Sequence, residues 1–120
     1  MPPRAPGRHV AVNRTSLTEL RVEHLGLARN ASSGRSAHTI AGGHDRSLRQ
    51  TLIAIVAGRR LDEHESNGEA TVHVLEGRVQ LVTAESACDG SAGDLIEVPD
   101  TRHALEAVED SVVLLTVAVH

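Results

Sequence analysis

From residue 37 onward, short runs of apolar residues alternate with turn residues along the chain. Gly58, Gly77 and the pair Glu109–Asp110 are among the residues that separate these runs, and each run has the length of a single strand. Regular short strands between glycine and acidic turns predict an antiparallel β-sandwich or barrel. The predicted strands cover residues 37–40, 48–56, 70–75, 78–83, 94–98, 104–108 and 112–119.

A different pattern precedes the strands, where apolar residues recur at helical spacing. Ser16 and Glu19 stand three residues apart, which is the spacing of a capping box at the start of a helix. The following apolar positions predict a short helix at about 16–30, which ends before Gly34 and covers part of a sheet. These positions are Leu17, Leu20, Leu25 and Ala28, with Leu27 beside the stripe.

The segment before the helix has the composition of a tail. Residues 1–14 hold three of the four prolines and no sustained pattern, which predicts a flexible N-terminal tail. There is no second helical block and no internal repeat, so residues 15–120 are expected to form a single domain. The chain has 14 Val, 13 Leu and 4 Ile, together 31 of 120 residues, which suffices for an aliphatic core.

Composition excludes several classes of function. The chain has no Phe, Tyr or Trp, which excludes platforms that stack nucleobases and aromatic cages for quaternary amines. All 12 basic residues are Arg, which excludes Schiff-base catalysis by Lys, and the net charge of −4 argues against nucleic acid. Cys88 is the one cysteine, so no internal disulfide forms, and we expect it to be partly buried. With no apolar run long enough to span a membrane, we expect a cytoplasmic protein.

Two blocks of sequence carry the most specific signal. The first block extends from Gly58 to Gly77 and contains His64, and the second extends from Gly93 through the phrase GDLIEVP to His103. Together they resemble the two motifs of the cupin superfamily. The first of those motifs reads G-x5-H-x-H-x3,4-E-x6-G, and the second reads G-x5-P with a histidine after a turn.

The resemblance extends over roughly residues 48–119 and implies a fold. That fold is all-β, a cupin-type double-stranded β-helix (a jelly-roll barrel), here preceded by a short N-terminal helix. Such a barrel has two sheets that close around a pocket, and the ligand binds inside. Cupins commonly dimerise through sheet faces, so the resemblance also implies a homodimer.

The resemblance further implies a ligand set of three histidines and one glutamate for a metal. His64 matches the first ligand and His103 the last. Ser66 stands where the second histidine belongs, and Ala70 stands where the glutamate belongs. Half of the implied set is therefore missing, and the implied pocket lies around His64, Ser66, Ala70 and His103.

Three neighbouring residues have metal-binding chemistry but unsuitable positions. Glu69 is one residue away from the glutamate position, and a slip of one residue turns a side chain to the opposite face. It would reach the pocket only through a bulge near Asn67–Gly68. His73 has the opposite parity to Ala70, so we expect it to point away from the interior and to be an interface residue of the homodimer. His44 is expected to lie in a loop.

Three functions fit these residues. The first is a small-molecule-binding cupin of unknown specific activity, in which His64 and His103 hydrogen-bond an organic ligand or transfer protons. The alternative is a metal-dependent cupin enzyme, such as a small oxygenase or isomerase. In it, the two histidines hold a divalent transition metal (Zn, Ni, Mn or Fe), and water or substrate completes the coordination. The third is a structural or regulatory protein whose barrel is filled by its own side chains.

A charged residue near the site bears on the choice of ligand. Arg49 and Gln50 lie on the same predicted strand, and because neighbouring residues of a strand face opposite sides, only one of them points inward. An inward Arg49 would favour an anionic ligand, but we expect Arg49 to lie in solvent.

Overall fold

The structure, a computed structural model, describes residues 12–43, 45–64 and 68–119, and the side chains of residues 62–64 and 68 lie outside that description. Within this part of the chain, one helix precedes nine strands. Their bounds are α1 Leu17–Asn30, β1 Arg35–Ala41, β2 Leu48–Ile55, β3 Arg60–His64, β4 Gly68–Glu76, β5 Arg78–Val82, β6 Ala87–Ser91, β7 Leu95–Glu97, β8 His103–Ala107 and β9 Ser111–Val119.

The strands of the described chain form two sheets, in which every pairing is antiparallel. The five-stranded sheet has the order β1-β2-β9-β4-β7, and the four-stranded sheet has the order β3-β8-β5-β6. Most strands that are consecutive in sequence, such as β2 and β3 or β8 and β9, lie in different sheets, as in a jelly roll. The predicted all-β fold with a short N-terminal helix is confirmed.

Strands β3 and β6 fall outside the apolar runs that predict the other strands. They are the two edges of the four-stranded sheet. Strand β3 is mostly charged, and β6 consists of small and polar residues. An edge strand has a neighbour on one side only and often carries charged residues, so neither needs an apolar run. Cys88 lies on β6 and is exposed, so the expectation that it is partly buried is wrong.

Alternate residues of β2 contribute to two different cores, as the period of a strand requires. Leu52 and Ala54 face the helix, whereas Ile53 faces the space between the sheets. We call these regions the helix-covered face and the barrel interior. The helix-covered face is built from Leu25, Ala28, Leu52, Ala54 and Val112. The buried core of the barrel interior is built from Ile53, Val72, Val74, Val79, Leu81, Ile96, Leu105 and Val113.

Helix α1 begins and packs as its sequence predicts. The Ser16 hydroxyl oxygen accepts a hydrogen bond from the backbone N–H of Glu19 at 3.2 Å, which satisfies a donor at the helix start. Leu25 and Ala28 are buried against the sheet. The helix therefore covers the outer face of the five-stranded sheet and leaves the barrel interior to the strands.

A polar contact accompanies this apolar packing. His24 of the helix is buried, with 7% of its surface exposed, and its Nδ1 atom lies 2.6 Å from the hydroxyl oxygen of Ser36 on β1. The His24 ring also lies beside that of His38, with 5.5 Å between the ring centroids. The hydrogen bond to Ser36 gives a buried imidazole nitrogen a partner, which burial of a polar group requires.

An aspartate joins the end of the helix to the barrel. One Asp110 carboxylate oxygen accepts from the backbone N–H of Ala57, and the other accepts from Nε of Arg29, each at 2.8 Å. The hydrogen bond from Ala57, followed by that from Arg29, lowers the pKa of Asp110 below its usual value of 3.8. Asp110 therefore connects α1, the β2–β3 turn and the β8–β9 turn.

Two further expectations concern the N-terminal tail and membrane-spanning segments. The predicted tail falls mostly on residues outside the described part of the chain, and described residues 12–14 belong to no helix or strand. Among the described residues, no helix has both the length and the apolar character needed to cross a membrane.

Candidate functional site

A cavity of about 320 Å³ lies in the barrel interior, between the two sheets. Inward-facing residues of β2, β9 and β4 form one wall, and residues of β3, β5 and β8 form the other. The described lining is mostly aliphatic. Its residues are Arg49, Thr51, Ile53, Leu61, Ala70, Val72, Leu81, Val98, His103, Leu105, Val113, Leu115, Val117 and Val119.

His103 is the histidine of this lining. It is the first residue of β8, and 5% of its surface is exposed. Its Nδ1 atom lies 2.8 Å from the backbone carbonyl oxygen of Thr101. A carbonyl oxygen only accepts hydrogen bonds, so Nδ1 carries a proton, and in the neutral ring Nε2 then has the lone pair. The backbone therefore fixes both the tautomer and the orientation of His103.

His64 is the register partner of His103. Strand β3 pairs with β8 so that Leu61 lies opposite Leu105 and His64 lies opposite His103, with a register shift between the two pairs. Between the two pairs, β3 has one residue more than β8, as in a β-bulge. The side chain of His64, and Ser66 altogether, lie outside the described residues.

Ala70 lines the cavity from the opposite sheet, at the position where the family motif has a glutamate. It pairs with Val117 of β9, and Val117 in turn pairs with Arg49 of β2. The three residues therefore form a row across the inner face of the five-stranded sheet. No aspartate or glutamate lines the cavity among the residues whose side chains are described.

Arg49, which we expected in solvent, is exposed but also lines the cavity, and Thr51 and Ile53 follow it on the same side of β2. Gln50 belongs to the opposite face, where its amide lies 3.3 Å from the hydroxyl oxygen of Thr116. If the facing of one residue of the strand were known, alternation would give that of both Arg49 and Gln50. The run at 48–56 provides no such residue, because it is too apolar to show which face is buried.

The remaining candidates lie away from the cavity or outside the description. Glu69 is exposed and pairs with Ala118, on the face of β4 that does not line the cavity. His73 is half-buried on that same outer face, between Leu114 and Leu95 in the sheet. His44 lies outside the described residues. In the part of the chain whose side chains are described, no three His, Cys, Asp or Glu residues are grouped so that they could hold a metal ion.

Comparison with known proteins gives no match by sequence. No protein-family model matches the chain, and no curated protein matches it. Solved structures do match. A conserved protein of unknown function from Streptococcus pyogenes is 25% identical, with a TM-score of 0.68 over 75% of this chain and 78% of that one.

Two further solved structures are described as cupins. A cupin superfamily protein from Desulfitobacterium hafniense has a TM-score of 0.66 and 17% identity, over 72% of this chain and 78% of that one. An RmlC-like cupin protein from Desulfovibrio desulfuricans has a TM-score of 0.61 and 21% identity, over 95% of this chain and 97% of that one. The chain therefore has the fold of cupin barrels, and the resemblance seen in its sequence motifs is confirmed at the level of the fold.

Proposed function

We propose that the protein is a small-molecule-binding cupin whose ligand occupies the barrel interior around His64, Ser66, Ala70 and His103. The observation that supports this function is the cavity of about 320 Å³, which is lined by Ala70 and His103. Its size lies at the lower end of the range for small-molecule sites, about 300–1,000 Å³. The ligand is therefore small, equivalent to roughly ten water-sized groups.

The cavity favours binding over a purely structural barrel. A barrel filled by its own side chains would leave no space between the sheets, because protein interiors are close-packed. Leu81 and Leu105 line the space without closing it, and Ala70 contributes only a methyl group. An apolar cavity with a few polar groups is the usual form of a small-molecule site.

His103 supplies the polar function. With Nδ1 donating to the Thr101 carbonyl, Nε2 of the neutral imidazole is a hydrogen-bond acceptor in the cavity lining. This role is compatible with binding and does not require a metal.

The alternative function is a metal-dependent cupin enzyme that uses His64 and His103. Its support is the register that sets His64 opposite His103, together with the Nδ1 hydrogen bond to a carbonyl, which is typical of a metal-ligating histidine. Among the residues whose side chains are described, the lining supplies one imidazole and no carboxylate, which is fewer than the three or so protein ligands of a typical catalytic metal site.

A methyl NMR titration tests the proposed function. The chain has no Phe, Tyr or Trp, so a phenyl ring that enters the cavity shifts nearby methyl signals against a simple background. We expect phenylacetamide, a neutral probe, to shift the methyl signals of Val72, Leu81 and Leu115 and to leave those of Leu25 and Leu52 unchanged. Shifts at the helix-covered face alone, or none at all, would contradict the proposal.

Elemental analysis separates the two functions. The protein is loaded with Zn, Ni, Mn or Fe and dialysed, and the wild type is compared with the variant His64→Ala, His103→Ala. The proposed function predicts no stoichiometric metal in either protein. One metal ion per chain in the wild type, absent from the double variant, would favour the enzyme instead.

A further inference from the structure

The charge of the cavity lining indicates the class of ligand. Among the described lining residues, Arg49 is a permanent cation, His103 is an imidazole, and there is no carboxylate. The other described lining residues are aliphatic apart from Thr51. Among the described lining residues, an anionic group on the ligand would therefore meet a positive charge and no negative one.

The position of Arg49 in the sheet allows it to reach a ligand. Arg49 pairs with Val117, and Val117 pairs with Ala70. Since adjacent strands lie about 4.8 Å apart, the backbones of Arg49 and Ala70 are separated by about 10 Å across the inner face. Ala70 and Val117 place no polar group in that row, and all three residues line the same cavity.

The guanidinium of Arg49 has more N–H donors than its hydrogen bond with a described residue uses. In the described part of the chain, its hydrogen bond is a long one of 3.4 Å from Nη2 to the carbonyl oxygen of Gly43. Four other arginines form ion pairs with aspartate or glutamate at 2.8–3.4 Å, but Arg49 forms none with a described carboxylate. A guanidinium offers five N–H donors in a planar fork that matches a carboxylate.

The aliphatic walls restrict the rest of the ligand. Val72, Val113 and Leu115 offer no hydrogen-bond donors to a second charged group, and an unpaired charge in such surroundings is costly. A polyanion such as a phosphate ester is therefore disfavoured. A single carboxylate with an apolar body satisfies both the cation and the walls.

We infer that the ligand is a small monocarboxylate with an apolar body, and that Arg49 binds its carboxylate while the apolar body lies among Val72, Val113 and Leu115. This inference rests on the proposed function, because it requires that the barrel interior bind a ligand. Thr51, two residues further along the same face of β2, adds a hydroxyl donor near the carboxylate. Arg49 is thus the residue that determines specificity for an anion.

The experiment compares two probes of nearly the same shape. Phenylacetate carries a carboxylate and phenylacetamide a neutral amide, and the dissociation constant of each is measured from the methyl shifts of Val72 and Leu115. We expect the wild type to bind phenylacetate at least about tenfold more tightly, because a charge-assisted pair contributes more than a neutral hydrogen bond.

Three variants assign that preference to a residue. Arg49→Gln should bind both probes equally, and Arg49→Lys should retain part of the preference because it keeps the charge but loses the planar fork. Arg46→Gln is the matched control, since Arg46 is exposed nearby and does not line the cavity. It removes the same charge from the protein and should leave the preference unchanged.

The outcomes separate this inference from the proposed function. Equal binding of the two probes by the wild type, or a preference that survives in Arg49→Gln, would overturn the inference and leave the small-molecule function standing. A preference lost equally in Arg46→Gln would also overturn it, because the effect would then come from net charge. If neither probe shifts a cavity methyl signal, both the inference and the proposed function are wrong.

Discussion

Strand β2 separates two regions of the molecule that differ in packing although the same strand builds both. On the helix-covered face, Leu52 and Ala54 are completely buried against the helix. On the barrel side, Thr51 is half-buried and Arg49 exposed, and both line a cavity. The outer face around Leu52 and Ala54 is therefore fully packed, whereas the inner face around Arg49 and Thr51 keeps space and polar groups. The proposed ligand site thus lies on the opposite face of β2 from the helix.

We expect the largest effect on stability when a leucine is replaced by alanine, and we compare this substitution on the helix-covered face and in the barrel interior. We expect Leu52→Ala to lower the free energy of unfolding by about 2–5 kcal/mol, because a fully buried side chain leaves a cavity behind. Leu115 pairs with Thr51 and is half-buried beside an existing cavity, so Leu115→Ala should cost only about 1 kcal/mol. Urea unfolding measures both. Equal losses would mean that the barrel interior is packed as tightly as the helix-covered face.

A smaller effect is expected from the polar contact under the helix. Ser36→Ala removes the partner of the buried His24 Nδ1 and should cost about 1–2 kcal/mol, since an unpaired buried polar group is expensive. The loss is measured by thermal or urea unfolding. Ser32→Ala, in the exposed turn after the helix, is the control and should have no measurable effect. A Ser36→Ala protein as stable as this control would show that the contact contributes nothing.

The smallest effect concerns Asp110 and depends on pH. The hydrogen bond from Ala57 and the one from Arg29 lower the pKa of Asp110 in the folded protein. A lowered pKa makes the carboxylate stabilising above the usual value of 3.8, and this contribution is lost as the pH falls through the lower folded value.

Asp110→Asn loses the charge and therefore its pH-dependent contribution. At neutral pH the variant should be less stable by less than about 1 kcal/mol, because the ion pair with Arg29 is partly exposed. The difference between wild type and variant should shrink as the pH is lowered below 3.8. Urea unfolding at several pH values measures it, and a difference that stays constant would show that Asp110 does not act through its charge.

Most of the fold could be predicted from the sequence because its strands are apolar and separated by turn residues. The helix was predictable from the Ser16 and Glu19 spacing, which the structure reproduces as an N-cap. Strands β3 and β6 were not, because edge strands do not need apolar faces. Homodimerisation through His73 and a cytoplasmic location stay predictions.

The site was less predictable, for physical reasons that particular residues illustrate. The motif resemblance located Ala70 and His103, which both line the cavity. It could not show the register shift in β3 that sets His64 opposite His103, because pairing partners are not encoded locally. Nor could it show that Arg49 faces inward, since the apolar run around it lacks alternation.

The central claim is that the barrel interior has unfilled space beside Ala70, in contrast to the completely buried position of Ala54 on the helix-covered face. Adding the same side chain on each face tests it most directly, through the free energies of unfolding of Ala70→Leu and Ala54→Leu. Ala54 is completely buried in packed surroundings, so Ala54→Leu should cost about 1–3 kcal/mol by overpacking. Ala70→Leu should keep the stability of the wild type, because its side chain enters the cavity, and it should abolish the phenylacetamide shifts. A loss of stability in Ala70→Leu as large as that in Ala54→Leu would contradict the account.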